Sequence, residues 1–279
     1  MSRHGGDYEK GPERVRRDGA ARRFKATVEY DGTEFSGFQL QPGSRTVQGE
    51  LEAALARLSG GIRQPVVGAG RTDAGVHASG QVIAFTYPGS LSAEALMEAL
   101  NGMLPPDVAI GGLRRAPAGF NPRYAARYRE YRYTIWNGPR SPLRERTSLW
   151  VRSELDVTAM AEAGTALEGR HDFSPFGGAD PQPVRTVHRL RVRRTGSTVT
   201  IDVRADAFLR GMVRRIVATL LAVGLGRLEV SAVPGLLETG KPALGGAAAP
   251  ARGLCLRKVA LGRRTGRASS ERDAGHEAR

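Results

Sequence analysis

Apolar residues in this chain switch between a two-residue and a 3.6-residue period in an order that occurs twice, and that order leaves few folds open. In the first half, Phe24, Ala26, Val28 and Tyr30 alternate as in a strand, and Asp31-Gly32 signals a turn. Thr46 then stands as a helix N-cap before Leu51, Ala54, Leu55 and Leu58, whose i, i+3, i+4, i+7 spacing makes one apolar stripe; Gly60-Gly61 ends the helix. A short strand near Pro65 to Gly70, a loop and a strand over 81–87 follow. A helix capped by Ser92, with Leu96, Ala99, Leu100 and Met103 on one face, and a strand around Val108 to Leu113 complete a β-α-β-β-α-β unit. The second half repeats the order with a strand through Tyr131, Tyr133 and Ile135, a helix from Asp156, and a hairpin of Val187 to Val192 and Val199 to Val203. A helix over 207–223, a short helix near Val230 to Leu237 and a strand over 254–261 close it.

This is the split βαβ order of ferredoxin-like units, which gives an antiparallel sheet with helices on one face. The expected class is α+β: two ferredoxin-like halves, 24–122 and 123–261, sharing one extended antiparallel sheet. Their open sheet faces are expected to form a central RNA-binding cleft, as RNA-recognition modules offer a sheet to unstacked bases. Residues 1–23 and 262–279 are charged and rich in Gly, Ala and Ser without periodicity, and are expected to be mobile tails, the first of them basic. Because this architecture hosts many activities, function has to come from the residues.

Lys and Arg number 42 against 28 Asp and Glu, a formal charge of +14, which attracts a polyanion by a sequence-independent electrostatic term. Basic tails or genomic base composition produce the same excess, so the charge proposes nucleic acid without proving it. Cys255 is the single cysteine, which rules out an internal disulfide and fits a reducing cytoplasm. No cluster has zinc spacing, no dinucleotide or phosphate-loop fingerprint is present, and no metal or cofactor is expected. With no signal-peptide core and no run of about 18 apolar residues, a soluble protein of the cytoplasm is expected.

The densest constellation is GRTDAGVHASGQV, residues 70–82, in the loop between the middle strands of the first half; its counterpart in the second half is only the tight turn at Gly196-Ser197. Gly70, Gly75 and Gly80 permit backbone conformations closed to other residues and set Arg71, Asp73 and His77 in a finely shaped loop. Arg71 is near enough in sequence to hold the Asp73 carboxylate ionised, and such a carboxylate serves as nucleophile or as stabiliser of positive charge. The plainer reading is a turn-forming Asp that bonds its own backbone, with His77 a structural hydrogen-bonder.

That loop resembles the signature loop of the TruA family of tRNA pseudouridine synthases. The resemblance extends through residues 29–55, the YREYRYTIWN strand at 128–137, HDFSPF at 171–176, VRTV at 184–187, AFLRGMVRRIVATLLAVG at 207–224 and AAAPARGLCL at 247–256, in the family's order. It implies an isomerase that converts uridine to pseudouridine in the anticodon stem-loop of tRNA, at tRNA positions 38–40. A homodimer with one tRNA spanning both subunits is also implied. Matched residue by residue, Asp73 is the catalytic aspartate and Tyr131 the active-site tyrosine. Arg71 is then implied to pair with the aspartate and help take up the flipped base, and Arg214 to lie near the pocket. Phe38 stands where a tryptophan is common, and Asn121-Pro122 where His-Ala is familiar.

The reaction suits these residues. A carboxylate is needed near C1′ as the N1–C1′ bond breaks, by the logic of a glycosidase nucleophile. The base must be flipped out of its stack to be reached; Tyr131 could stack on it and help remove the C5 proton, or be only a core aromatic. Arg123 and Arg132, with Arg127 and Arg129, would grip phosphates, or form a solvated basic face. Three other functions stay open: a non-catalytic RNA-binding sheet, a hydrolase built on Asp73 and His77, and a synthase acting on another RNA position.

Overall fold

β1 (Arg22–Tyr30) buries Phe24, Ala26, Val28 and Tyr30 on one side and exposes Thr27 and Glu29 on the other, as its alternation requires. The structure, a computed structural model, describes residues 21–262. Of the two expected tails, residues 1–20 and 263–279 lie outside the described residues; Arg22 and Arg23 belong to β1 and pair with Tyr87 and Thr86, and the Gly262 N–H donates to the Ala125 carbonyl. Next comes α1 (Val47–Leu58), whose cap Thr46 accepts from the Gly49 N–H, a bond worth roughly 1 kcal/mol. β2 (Val67–Gly68), β3 (His77–Tyr87), α2 (Ala93–Asn101, capped by Ser92) and β4 (Val108–Arg115) complete the first half.

α3 (Pro122–Ala125) links the halves. Asn121 caps it by accepting from the Arg123 N–H and Pro122 supplies a preset φ, which gives the unfamiliar Asn-Pro pair a local structural task. The second half runs β5 (Ala126–Trp136), β6 (Leu149–Trp150), α4 (Val157–Thr165, capped by Asp156), β7 (Gly169–Asp172), β8 (Val184–Thr195) and β9 (Thr198–Ala205). It ends with α5 (Met212–Gly224), α6 (Val233–Leu236) and β10 (Leu254–Leu261).

The strands form one sheet in the order β4-β1-β3-β10-β5-β9-β8-β7, with the two-residue strands β2 on β3 and β6 on β5. Within it, β4-β1-β3-β2 and β10-β5-β9-β8 are the same arrangement, so both halves are ferredoxin-like and the fold is α+β. The sheet is not antiparallel throughout. At the seam, Cys255 and Leu256 of β10 run parallel to His77 and Ala78 of β3, at the end of β3 beyond its short pairing with β2.

One face of the sheet carries the core. Leu190, Val203, Tyr131 and Leu256 lie side by side across four strands, with Val192, Ile201, Tyr133 and Leu254 in the next row. The helices cover this face: Gly164 of α4 packs on Leu190, and a Cβ there would stand 2.5 Å from that side chain. The opposite face carries Glu130, Arg132, Asp202 and Arg204 in cross-strand ion pairs.

Two elements begin elsewhere than periodicity suggests. β3 starts at His77, four residues before the apolar run, because His77 and Ala78 already pair with β10. α5 starts at Met212 rather than near Ala207, since Gly211 is left-handed (φ 72°) and residues 206–211 form a loop with Asp206 accepting from the Thr186 and Ala207 N–H groups.

Candidate active site

The loop 69–76 takes its shape from the segment between β1 and α1. The Tyr30 hydroxyl bonds the Thr72 hydroxyl at 2.8 Å, the Phe38 N–H donates to the Thr72 carbonyl (3.1 Å), and the Gly75 N–H donates to the Phe35 carbonyl (3.3 Å). Gly37 has φ 99°, and a Cβ there would lie 2.8 Å from the Thr72 carbonyl oxygen, so only glycine lets the two segments touch. Of the three loop glycines only Gly75 has positive φ (74°). Gly80 is required for space instead: a Cβ would sit 2.2 Å from the Arg257 carbonyl oxygen, where β10 crosses β3.

Turned out of this mould, Asp73 is partly exposed and meets Arg214 from the other half, with Nη1 3.9 Å from Oδ2. Arg214 lies in the first turn of α5 and is held twice by Ala249. Its Nε donates to the Ala249 carbonyl (2.6 Å), and its own carbonyl accepts from the Ala249 N–H (3.0 Å). Tyr131 lies on the core face of β5 and is 7% exposed, with the Phe208 ring edge-on at 5.1 Å between centroids. Burial pushes the Tyr131 phenol up to about 12; Arg129 opposes the shift, and Asp73 and Cys255 add to it. A carboxylate and a guanidinium thus pair across the two halves, and the charge of Asp73 reaches the neutral buried phenol of Tyr131 on β5.

A family model described as tRNA pseudouridine synthase matches residues 26–125 and 163–260. The chain belongs to that family. It is 44% identical over 244 residues to tRNA pseudouridine synthase A of Geotalea uraniireducens (strain Rf4), covering 85% of this chain and 99% of that one. The synthase A of Geobacillus kaustophilus (strain HTA426) is 42% identical over 241 residues (85% and 93%), and that of Myxococcus xanthus 45% over 242 residues (85% and 91%). As a pseudouridine synthase the chain is an isomerase.

Not all of the synthase residues expected from the sequence gather at this site. With Thr72 turned inward to Tyr30, Arg71 is left exposed, and among the described residues the ion pair to Asp73 comes from Arg214 rather than Arg71. Arg123 is exposed on α3. Arg132 projects from the opposite face of the sheet, its Nε and Nη2 forked onto Asp202 at 2.7 and 3.0 Å. His77 is buried and structural in its contacts: Nδ1 is 3.1 Å from both the Gly32 N–H nitrogen and Asp31 Oδ1, and Nε2 faces the Arg146 and Arg252 carbonyls. That leaves neither ring nitrogen for the hydrolase alternative.

The site lies on the helix-covered face at the seam, not on the open sheet face where an RNA-recognition module would hold bases. Sequence reasoning missed Phe208, hidden by the assumed early start of α5, and the backbone-directed role of Arg129, which shares the alternation of Tyr131 and Tyr133. A surface recess of about 600 Å³ bounded by Ser174, Gly177, Asp180 and Pro242 contains none of the site residues. Among the described residues no three of His, Cys, Asp and Glu cluster as metal ligands would, and no helix is long and apolar enough to cross a membrane.

Proposed function

We propose that this chain isomerises uridine to pseudouridine in the anticodon stem-loop of tRNA, at tRNA positions 38–40, with Asp73 as the catalytic carboxylate. The reading is carried by the meeting of Asp73, Arg214 and Tyr131 at the seam of a chain that belongs to the family. The position on the tRNA rests on the resemblance of the motifs.

In this reading the target uridine leaves its stack and its base lies against Tyr131. The N1–C1′ bond breaks, the carboxylate of Asp73 meets the positive charge that develops at C1′, the uracil turns, and C5 joins C1′. C5 then loses its proton and N1 gains one, so the product is an isomer and no group donor or redox partner is consumed. The phenol of Tyr131 is protonated at neutral pH, so it relays the C5 proton only by passing on its own; it is not a preformed base. Arg214, fixed by Ala249, orients the carboxylate and balances its charge as the sugar becomes cationic. Arg71 and Arg123, both exposed, are assigned to the RNA; the forked bond from Arg132 to Asp202 makes it the weakest of the proposed RNA contacts.

We also assign the enzyme to the cytoplasm as a homodimer with one tRNA across both subunits. Sedimentation equilibrium checks the assembly, twice the 29.9 kDa chain mass being expected and a monomer at working concentration contradicting it. For the reaction itself, unmodified tRNA is incubated with the full chain without added metal or cofactor and pseudouridine is mapped base by base. Modification within positions 38–40 is expected. Modification elsewhere would transfer the enzyme to another target, and tight binding without modification would favour the RNA-binding reading.

A further inference from the structure

In the sheet the halves are joined by two parallel residue pairs, Cys255 with His77 and Leu256 with Ala78, and outside it His77 Nε2 faces the Arg146 and Arg252 carbonyls and Arg146 pairs with Glu34. None of these contacts touches residues 69–73, yet Asp73 comes from one half and Tyr131 and Arg214 from the other. Chemistry of this kind tolerates about an ångström of misplacement at a cost near 10²-fold in rate. Something must therefore set the Asp73 loop against the second half. The bonds that shape the loop within the first half, from Tyr30, Phe35 and Phe38, and from Gln81 Nε2 to the Gly70 carbonyl (2.9 Å), cannot do so.

We infer that Arg129 is the positioning residue that fixes the catalytic-aspartate loop in register with Tyr131 and Phe208. It lies on β5 two residues before Tyr131, on the same face, and its guanidinium reaches three separate backbone segments. Nε and Nη2 both donate to the carbonyl of Ala69, at the root of the Asp73 loop; Nη1 donates to the carbonyl of Asp206 (3.0 Å), at the root of the loop that carries Phe208. Nη2 also approaches the carbonyl of Arg123 on the linker α3 at 3.4 Å. The aliphatic stem lies along Gly70, where a Cβ would be 3.3 Å from Nε, so a side chain at 70 would press directly on the clamp.

The planar fork is what the task requires. Its donors point in fixed, divergent directions, so two loops and a linker are referenced to one rigid group, whereas a lysine ammonium offers a single flexible point. These contacts also separate Arg129 from the phosphate-gripping role expected of the arginines near this strand, since its Nε, Nη1 and Nη2 all face protein carbonyls. The assignment rests on the reading of Asp73 as the catalytic carboxylate.

The experiment compares Arg129→Met, Arg129→Lys and Asp73→Asn in the full chain by single-turnover pseudouridine formation with enzyme in excess over unmodified tRNA, alongside tRNA Kd and thermal melting. Arg129→Met is expected to lose about 100-fold in saturated rate with Kd within about 3-fold of wild type. Arg129→Lys is expected to recover little of the loss, while added methylguanidine restores part of the Arg129→Met rate. Gly70→Ala, which leaves the guanidinium in place but crowds it, should lower the same rate by a smaller factor without weakening binding. A rate unchanged in Arg129→Met, full activity in Arg129→Lys, or a rate that falls only in step with Kd or melting temperature would overturn the assignment. If Asp73→Asn stays active, the catalytic reading itself fails; if it is inactive while Arg129→Met is not, only the clamp fails.

Discussion

Arg214 is the residue whose position most changes the expected chemistry. Sequence proximity favoured Arg71 as the partner of Asp73, but nearness along a loop does not make two side chains meet: Arg71 stays exposed and the cation that reaches Asp73 is Arg214. Arg214 arrives from a helix 141 positions along the chain, which no local pattern could show. Arg214→Ala removes the cation beside Asp73 and leaves the Ala249 carbonyl without its donor. A saturated rate lower by about 100-fold is expected with tRNA affinity largely kept, whereas an equal loss in both would make Arg214 an RNA-binding group. A second consequence concerns Tyr131. Its phenol titrates near 12 in the folded chain against 10.0 in the unfolded one, so the stability from burying it neutral is complete below pH 10 and is lost as pH rises through about 12. By pH 12 the loss from this residue is on the order of 2 kcal/mol. Unfolding free energies of wild type and Tyr131→Phe followed from pH 8 upward should stay parallel to about pH 10 and then draw apart in favour of the Phe variant; curves parallel to pH 12 would contradict the assignment.

Among the elements, the segment between β1 and α1 matters more than its irregular structure suggests, because it is the mould of the Asp73 loop. Gly37→Ala must place a Cβ 2.8 Å from the Thr72 carbonyl at φ 99°. A cost of roughly 1 to 3 kcal/mol in stability and a displaced Asp73 loop are expected, read as a lower denaturation midpoint together with a lower saturated rate; an active, equally stable variant would show that the mould is dispensable. The elements with strong periodicity and clear caps were legible in the sequence: α1 after Thr46, α2 after Ser92, α4 after Asp156, and β10 over 254–261. Where tertiary contact outweighed local pattern, they were not. β3 gains four residues at its start, where His77 and Ala78 pair with β10, α5 loses its first turn to a left-handed Gly211, and β6 and β7 are too short to show a period. Asp73 and Tyr131 could be singled out from motif and chemistry, but Phe208 was concealed inside a supposed helix and the clamp of Arg129 depends on carbonyls about 60 and 77 residues away.

At the scale of the whole molecule, duplication of the ferredoxin-like unit yields one sheet with a narrow seam, and the site lies across it. The second half keeps a bare turn at Gly196-Ser197 where the first half carries the elaborated loop, so one repeat supplies the carboxylate and the other receives it. Gly80 lets β10 pass within contact of β3. Gly80→Ala, with a Cβ 2.2 Å from the Arg257 carbonyl oxygen, should destabilise the chain by a few kcal/mol and loosen the halves, detectable as faster amide exchange at Ala78 and Leu256. Unchanged exchange there would mean that the halves are held by other contacts. Whether Asp73 performs the chemistry at this seam is read from single-turnover pseudouridine formation by Asp73→Asn, a substitution close to isosteric, with tRNA binding measured on the same preparation. No detectable pseudouridine with binding retained is expected; pseudouridine formed at a rate near that of wild type would contradict a catalytic role for Asp73.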